Sequence, residues 1–389
     1  MRTLAPRISL ISAAVLGLLA PCATAHAADG SFRVRGYVHY DVRRYDEELP
    51  GSPGDGSETR RFRPIFEYKS DLVSARFMPD LQRDTNQTLD AYLDFTPDAA
   101  WDLRVGRFKT PLSLNRLQSS GAVVPMEASV VASMTPNRDN GILLGWDAVP
   151  GWRIEAGAFD GAADDVVKGS LDSGVEWVAR VVHSRTAGGG KLRLAAGASA
   201  GEREGAPGDA RLARYRTPGR ATWFRYVGDA HADGSTGRAI LSADYQRGPL
   251  FLQAEAVESR ADVRAGATSA SLSHHAWEVV GAYTLTGEDR TERGVTPGNW
   301  KLPGLELPVA VEVGGHFGHA RVDADAFRLG LASTANSGEA YQSAGVSVSF
   351  WFPKQWRLTL DYEQGTLDGF GGAADRKERA LLARVAVGF

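Results

Sequence analysis

The stretch TRRFRPIFEYK, residues 59–69, alternates along its whole length. Phe62, Pro64, Phe66 and Tyr68 share one parity, while Arg61, Arg63, Glu67 and Lys69 share the other with Ile65. Successive side chains of a strand point to opposite faces, so the stretch is a ribbon with an apolar face and a charged one. In a soluble sandwich the aromatic face would form the core and the arginines would meet bulk water. In a membrane barrel the aromatic face meets lipid and the arginines line the interior.

The N-terminus favours the barrel. Arg2 and Arg7 precede the apolar run ISLISAAVLGLLA at 8–20, which is too short to span a bilayer, and Ala25-His26-Ala27 supplies a small-x-small cleavage pattern. Residues 1–27 are therefore expected to be a cleaved secretory leader, and 28–389 a single domain. A lipoprotein leader ending at Cys22 is the competing reading, and Pro21 beside that cysteine argues against it.

Cys22 is the sole cysteine, so an exported mature chain would have no disulfide framework and must be stabilised by one large structure. Losing Arg2 and Arg7 moves the formal charge from −3 to −5, a sum that does not set ion preference, because selectivity depends on charges at a constriction. No later stretch holds 18 consecutive apolar residues, so no segment reads as a membrane-spanning helix and only a closed barrel could cross.

The alternation recurs from end to end. FRVRGYVHYDVRR sets Phe32, Val34, Val38, Tyr40 and Val42 against Arg33, Arg35, His39, Asp41 and Arg43; WRLTLDYEQ sets Trp356, Leu358, Leu360 and Tyr362 against Arg357, Thr359, Asp361 and Glu363. Gly-, Pro- and Asp-rich segments such as ELPGSPGDGSE and GEREGAPGDAR separate the runs, as hairpin connections require. A repeat near about 22 residues predicts roughly 16 antiparallel strands in one all-β transmembrane barrel. Trp101, Trp152, Trp177, Trp277 and Trp356 lie at or near the ends of alternating runs, where an interfacial girdle needs them. Buried tryptophans in a soluble β protein remain the alternative on composition alone.

Few motifs point to chemistry. Gly197-Ala198-Ser199-Ala200-Gly201 matches G-x-S-x-G, but a nucleophile elbow needs a strand, a sharp turn and a helix, and the turn-forming EREGAPGD follows instead. His316, His319 and the His274-His275 pair lack the helix and third ligand of a metal motif. There is no phosphate-binding Walker loop, no cofactor motif and no basic-aromatic pattern demanding nucleic acid.

LRVGRFKTPLSLNRLQSS at 103–120, PNRDNGILLGW at 136–146, WRIEAGAFDG at 152–161 and AYTLTGEDRTERG at 282–294 together resemble the phosphate-selective porin O and P family. The resemblance implies a homotrimer of 16-stranded barrels in outer-membrane lipid, passing small anions such as phosphate or polyphosphate. It implies a third loop, roughly Leu112 to Asn140, that folds inward and narrows the lumen. It implicates Arg60, Arg61 and, by parity, Arg63 as anion ligands at the constriction, with Arg43 and Arg44 on the first hairpin. Lys109, which opens the third loop, and Arg138, near its end, would approach the same lumen. The terminal Phe389 resembles the aromatic signal by which such barrels are recognised for assembly. The chain departs from the family in having only seven lysines, although the arginine fork suits phosphate oxygens. For any single arginine the plainer role is a solvated face or a pair with Asp41, Glu67, Asp90 or Asp94. A weakly selective general porin and, in another class, an outer-membrane hydrolase are the alternatives.

Overall fold

A computed structural model describes residues 24–27, 30–82, 87–127, 129–164, 174–304, 306–372 and 375–389. The expected leader lies outside the described residues except for Thr24–Ala27, whose backbone pairs with Gly30–Arg33. The remaining sixteen strands of the main sheet run in sequence order, each antiparallel to the next. They are β1 Gly30–Glu47, β2 Gly56–Lys69, β3 Val73–Asp80, β4 Gln87–Phe95, β5 Trp101–Phe108, β6 Asp139–Val149, β7 Trp152–Phe159 and β8 Glu176–Ala187. Then follow β9 Gly190–Glu204, β10 His231–Arg247, β11 Leu250–Ala265, β12 Thr268–Thr284, β13 Ala310–Arg321, β14 Ala340–Phe352, β15 Trp356–Asp368 and β16 Asp375–Gly388.

The sheet closes where β1 pairs with β16, from Tyr37 opposite Gly388 to Glu47 opposite Arg379. Closure gives every strand a neighbour on both sides, so the sheet has no free edge strand. The last residue completes the seam: Gly36 N donates to Phe389 O at 2.8 Å and Phe389 N to Gly36 O at 3.0 Å. A side chain at Gly36 would meet the Phe389 ring at 2.5 Å, so glycine is what allows the aromatic to lie flat there.

Parity assigns the two faces. Phe66 stacks on Phe77 at 6.1 Å, and Phe77, Leu93, Val105, Leu241, Val346, Leu360 and Leu381 are exposed on the outer face. A continuous apolar surface of this extent is far larger than soluble monomers show and fits a hydrocarbon environment. Trp101, Trp152 and Trp356 begin β5, β7 and β15 and are exposed, so they ring one rim as an interfacial belt. Trp101 stacks on Trp146 at 5.2 Å. Trp177 and Trp277 are exposed too, the latter beside Phe317. Among the described residues the buried tryptophans are others, Trp223 in a connection and Trp351 near the end of β14.

The rim that carries both chain ends has short turns, such as residues 150–151, 188–189 and 248–249, plus one long segment, 285–309. The opposite rim carries the long connections 109–138 and 205–230. Connection 205–230 holds a small hairpin of Arg214–Arg216 with Thr222–Arg225, whose Tyr215, Trp223 and Phe224 are completely buried. It leaves from β9 and β10, half-way round the ring from β1 and β2. Yet Arg220 pairs with Glu58 of β2, and Tyr45 of β1 donates to Gly219 O. This connection therefore crosses the rim from one wall to the other. Trp223 O accepts from Gly338 N at 2.7 Å, and Val227 N donates to Leu331 O at 3.0 Å, which ties it to connection 322–339.

Deletion of Phe389 removes the two seam hydrogen bonds, and we expect less heat-modifiable folded barrel in outer-membrane fractions; unchanged assembly would make the residue a passive part of the wall. Trp223→Ala removes a fully buried indole and should cost about 3–5 kcal/mol locally, opening 205–230 to protease while the barrel stays folded.

Candidate functional site: the arginine cluster and the loop beside it

The register of β1 and β2 shifts between His39 and Tyr40: His39 faces Arg61, whereas Tyr40 faces Thr59. Arg60 is the extra residue of this bulge, and a bulge re-aims the side chain it carries. Alternation alone would send Arg60 to the apolar face. Instead its Nη2 lies 2.9 Å from Glu127 Oε2 on connection 109–138. Arg61 and Arg63 project to the same interior. Arg63 Nε donates to Asp80 at 2.8 Å and its Nη1 to Tyr37 Oη at 3.1 Å. Among the described residues Arg61 makes one hydrogen bond, Nη1 to His39 Nδ1 at 3.4 Å, and its Nε has no hydrogen-bond partner. His39 is almost fully buried, and its Nε2 is also without a partner among the described residues.

Connection 109–138 meets these groups directly. It starts with a short helix, α1 Leu114–Leu117, whose first amides and N-cap hydroxyl donate to Glu255 of β11: Leu114 N at 2.6 Å, Asn115 N at 2.9 Å and Ser113 Oγ at 3.1 Å. Ser120 Oγ lies 2.9 Å from Tyr37 Oη of β1. Met126 N donates to Asp361 of β15 at 2.8 Å, and Arg384 of β16 donates to Met126 O at 2.6 Å and to Glu127 at 2.7 Å. A second helix, α2 Val130–Ser133, is capped by Ser129 and completely buried. The connection thus leaves β5, bonds to bore-facing side chains of β11, β15, β16 and β1, and returns to β6. Between it and the wall lies a small cavity lined by His39, Ser120, Arg357, Thr359 and Arg384.

The other candidate residues separate. Arg43 is buried on the interior face and pairs with Glu58 at 3.0 Å, the carboxylate that also takes Arg220. Arg44 is a correction: it follows Arg43 with no register shift between them, so it lies on the outer parity with Val42 and is exposed. Lys109 Nζ donates to Gln118 O at 2.7 Å, bracing the start of the connection. Arg138 donates to Asp90 at 2.7 Å with both side chains buried. His39, Arg384, Arg357 and Glu127 were not singled out from sequence, although alternation already placed His39 and Arg357 on the charged face. Ser199 lies inside β9, which runs on to Glu204, so there is no elbow around it. His316 sits between Glu278 and Glu363 at 3.1 and 2.9 Å, and among the described residues no group is arranged to hold a metal ion.

A family model described as phosphate-selective porin O and P matches residues 32–385. No curated protein matches the chain significantly. Among solved structures, the outer membrane channel DcaP of Acinetobacter baumannii is 13% identical with a TM-score of 0.63, covering 94% of this chain and 99% of its own. An anion-selective porin from Comamonas acidovorans is 12% identical at 0.54, covering 93% and 100%. The trimer form of OmpT, an outer membrane protein of Vibrio cholerae, is 10% identical at 0.55, covering 93% and 100%. At these identities the likeness establishes the fold.

Glu127 is the shared carboxylate of Arg60 and Arg384. Glu127→Ala leaves the half-buried Arg60 without its carboxylate, while the buried Arg384 keeps Asp41. We expect a loss of about 2–3 kcal/mol, read as a lower temperature of heat modification on gels, while an unshifted temperature would show the pairs to be energetically idle.

Proposed function

We infer that this chain, which belongs to the phosphate-selective porin O and P family, is an outer-membrane channel through which small anions, phosphate or polyphosphate, diffuse passively. The observation that carries the anion preference is the state of Arg61. Its neighbours Arg60 and Arg63 are paired with carboxylates, while among the described residues Arg61 has no salt bridge, and neither its Nε nor Nε2 of the adjacent His39 has a hydrogen-bond partner. Buried donors in this condition gain from an anionic acceptor, and the guanidinium fork fits phosphate oxygens. Connection 109–138 is the segment that narrows the bore around these groups. No covalent chemistry is required: the ion exchanges part of its hydration for weak sites and leaves.

The chain is exported, sheds residues 1–27, and sits in outer-membrane lipid through its exposed apolar face. A homotrimer would associate through the low wall β3–β5, whose strands of 8, 9 and 8 residues contrast with the 16 and 17 of β11 and β12. Apolar Phe77, Leu93 and Val105 are exposed on that wall.

A second reading, a weakly selective porin, is favoured by the pairing of Arg43, Arg60, Arg63 and Arg138 with carboxylates. One experiment separates the two. Arg61→Glu changes the local charge by two units, and at an effective dielectric constant near 20 each unit about 5 Å from an ion is worth roughly 3 kcal/mol before screening. Reversal potentials in a salt gradient should swing toward cations, and phosphate should cease to block chloride current. A variant that keeps the wild-type potential and block would support the weakly selective reading.

A further inference from the structure

The arginines around connection 109–138 do not all have the same availability. A guanidinium carries five N–H donors. Arg357 of β15 commits all of them: Nε and Nη2 to Ser349 Oγ at 3.1 and 2.9 Å, Nη1 to Gly121 O and Val123 O at 3.2 and 2.9 Å, and Nη2 to Val124 O at 3.5 Å. Its cation lies 4.5 Å from the Trp351 ring centroid. Arg290 enters from segment 285–309, on the rim that carries the chain ends. It donates to Ala122 O and pairs with Glu312, with its cation 4.9 Å from the Phe251 ring centroid. Two guanidinium groups, one from the wall and one from the far rim, thus take four successive carbonyls, 121–124. Those carbonyls have no strand partner, and buried carbonyls left unpaired are costly.

The wall is shaped to receive the same turn. A Cβ at Gly314 of β13 would stand 2.3 Å from Val124 Cγ1, and one at Gly318 would stand 2.7 Å from Val130 Cγ2. Any larger residue at either position would displace the connection.

We propose that Arg290 and Arg357 are positioning residues: they clamp carbonyls 121–124 against the Gly314 seat, fix the path of the connection and so set the bore, without receiving the permeating ion. The inference rests on the channel reading above. It divides the interior arginines by function, with Arg61 facing the ion and Arg357 facing the loop.

Single-channel recording in planar bilayers tests the assignment, with heat-modifiable mobility as the folding control. Arg357→Leu and Arg290→Gln should each change unit conductance twofold or more and add sub-conductance flicker, while the anion-to-cation permeability ratio stays near wild type. Arg357→Lys keeps the charge but not the fork, and should behave as Arg357→Leu does. Gly314→Val leaves every charge in place and, by displacing Val124, should give the same signature even where an arginine variant does not fold. A Val124→Cys, Gly314→Cys pair, introduced with Arg357→Leu, ties the turn to the wall covalently and should suppress the sub-conductance flicker when oxidised and show it when reduced, since the two positions are in contact. Unaltered conductance in Gly314→Val and Arg357→Leu would overturn the proposal. So would a selectivity loss in Arg357→Leu that Arg357→Lys repairs, because that is the behaviour of an ion ligand. A wild-type chain that never conducts overturns the channel reading and this assignment with it.

Discussion

The structure depends on one constraint: inside hydrocarbon, each backbone N–H and C=O must find a partner within the protein. A sheet meets it only by closing, and here closure is made by the antiparallel pairing of β1 with β16 and sealed by the reciprocal bonds of Gly36 and Phe389. Everything else follows from a closed wall of alternating residues. One parity must be apolar because lipid touches it. The other is free to carry charge, because it is enclosed with water, loops and other charges.

Enclosure has its own cost. Charges taken from bulk water are stable only when paired or hydrogen-bonded, and most of the interior arginines are: Arg63 with Asp80, Arg138 with Asp90, Arg290 with Glu312, Arg384 with Asp41. Such pairs hold structure and leave little net field for an ion. The exceptions therefore matter more than the count of arginines. Arg357 has no salt bridge among the described residues, but loop carbonyls and Ser349 satisfy it. Among the described residues Arg61 keeps an uncommitted Nε and a single long contact, to His39. A formal charge of −3 on the whole chain is compatible with an anion path, since the potential at one narrow place is set by the few charges around it.

Much of the wall was legible because its signal has period two. Residues 61–69 and 356–363 sort by parity into the faces they occupy, and a strand count near 16 follows from the repeat. What alternation cannot show is where it breaks. Arg60 reaches the interior through the bulge opposite His39 and Tyr40, a feature of pairing rather than of either strand alone. Arg44 fails for the converse reason: an adjacent pair cannot both face inward where the ladder is regular, and the nearest shift on that side falls after Tyr45. Connection 205–230 reads as a polar, turn-rich stretch, yet it buries Tyr215, Trp223 and Phe224 at 0% exposure. Its partners lie on strands far away in sequence, so no local pattern announces them. The same holds for Arg290, whose loop partner Ala122 is 168 residues away.

The central claim is that the enclosed charge around Arg61 makes the interior an anion path. Its most direct test is the reversal potential of the wild-type protein in a planar bilayer across a potassium chloride gradient, followed by addition of phosphate. The account predicts a potential of the sign set by chloride, and a chloride current that falls as phosphate occupies the cluster. A potential of the sign set by potassium, with current indifferent to phosphate, would contradict it.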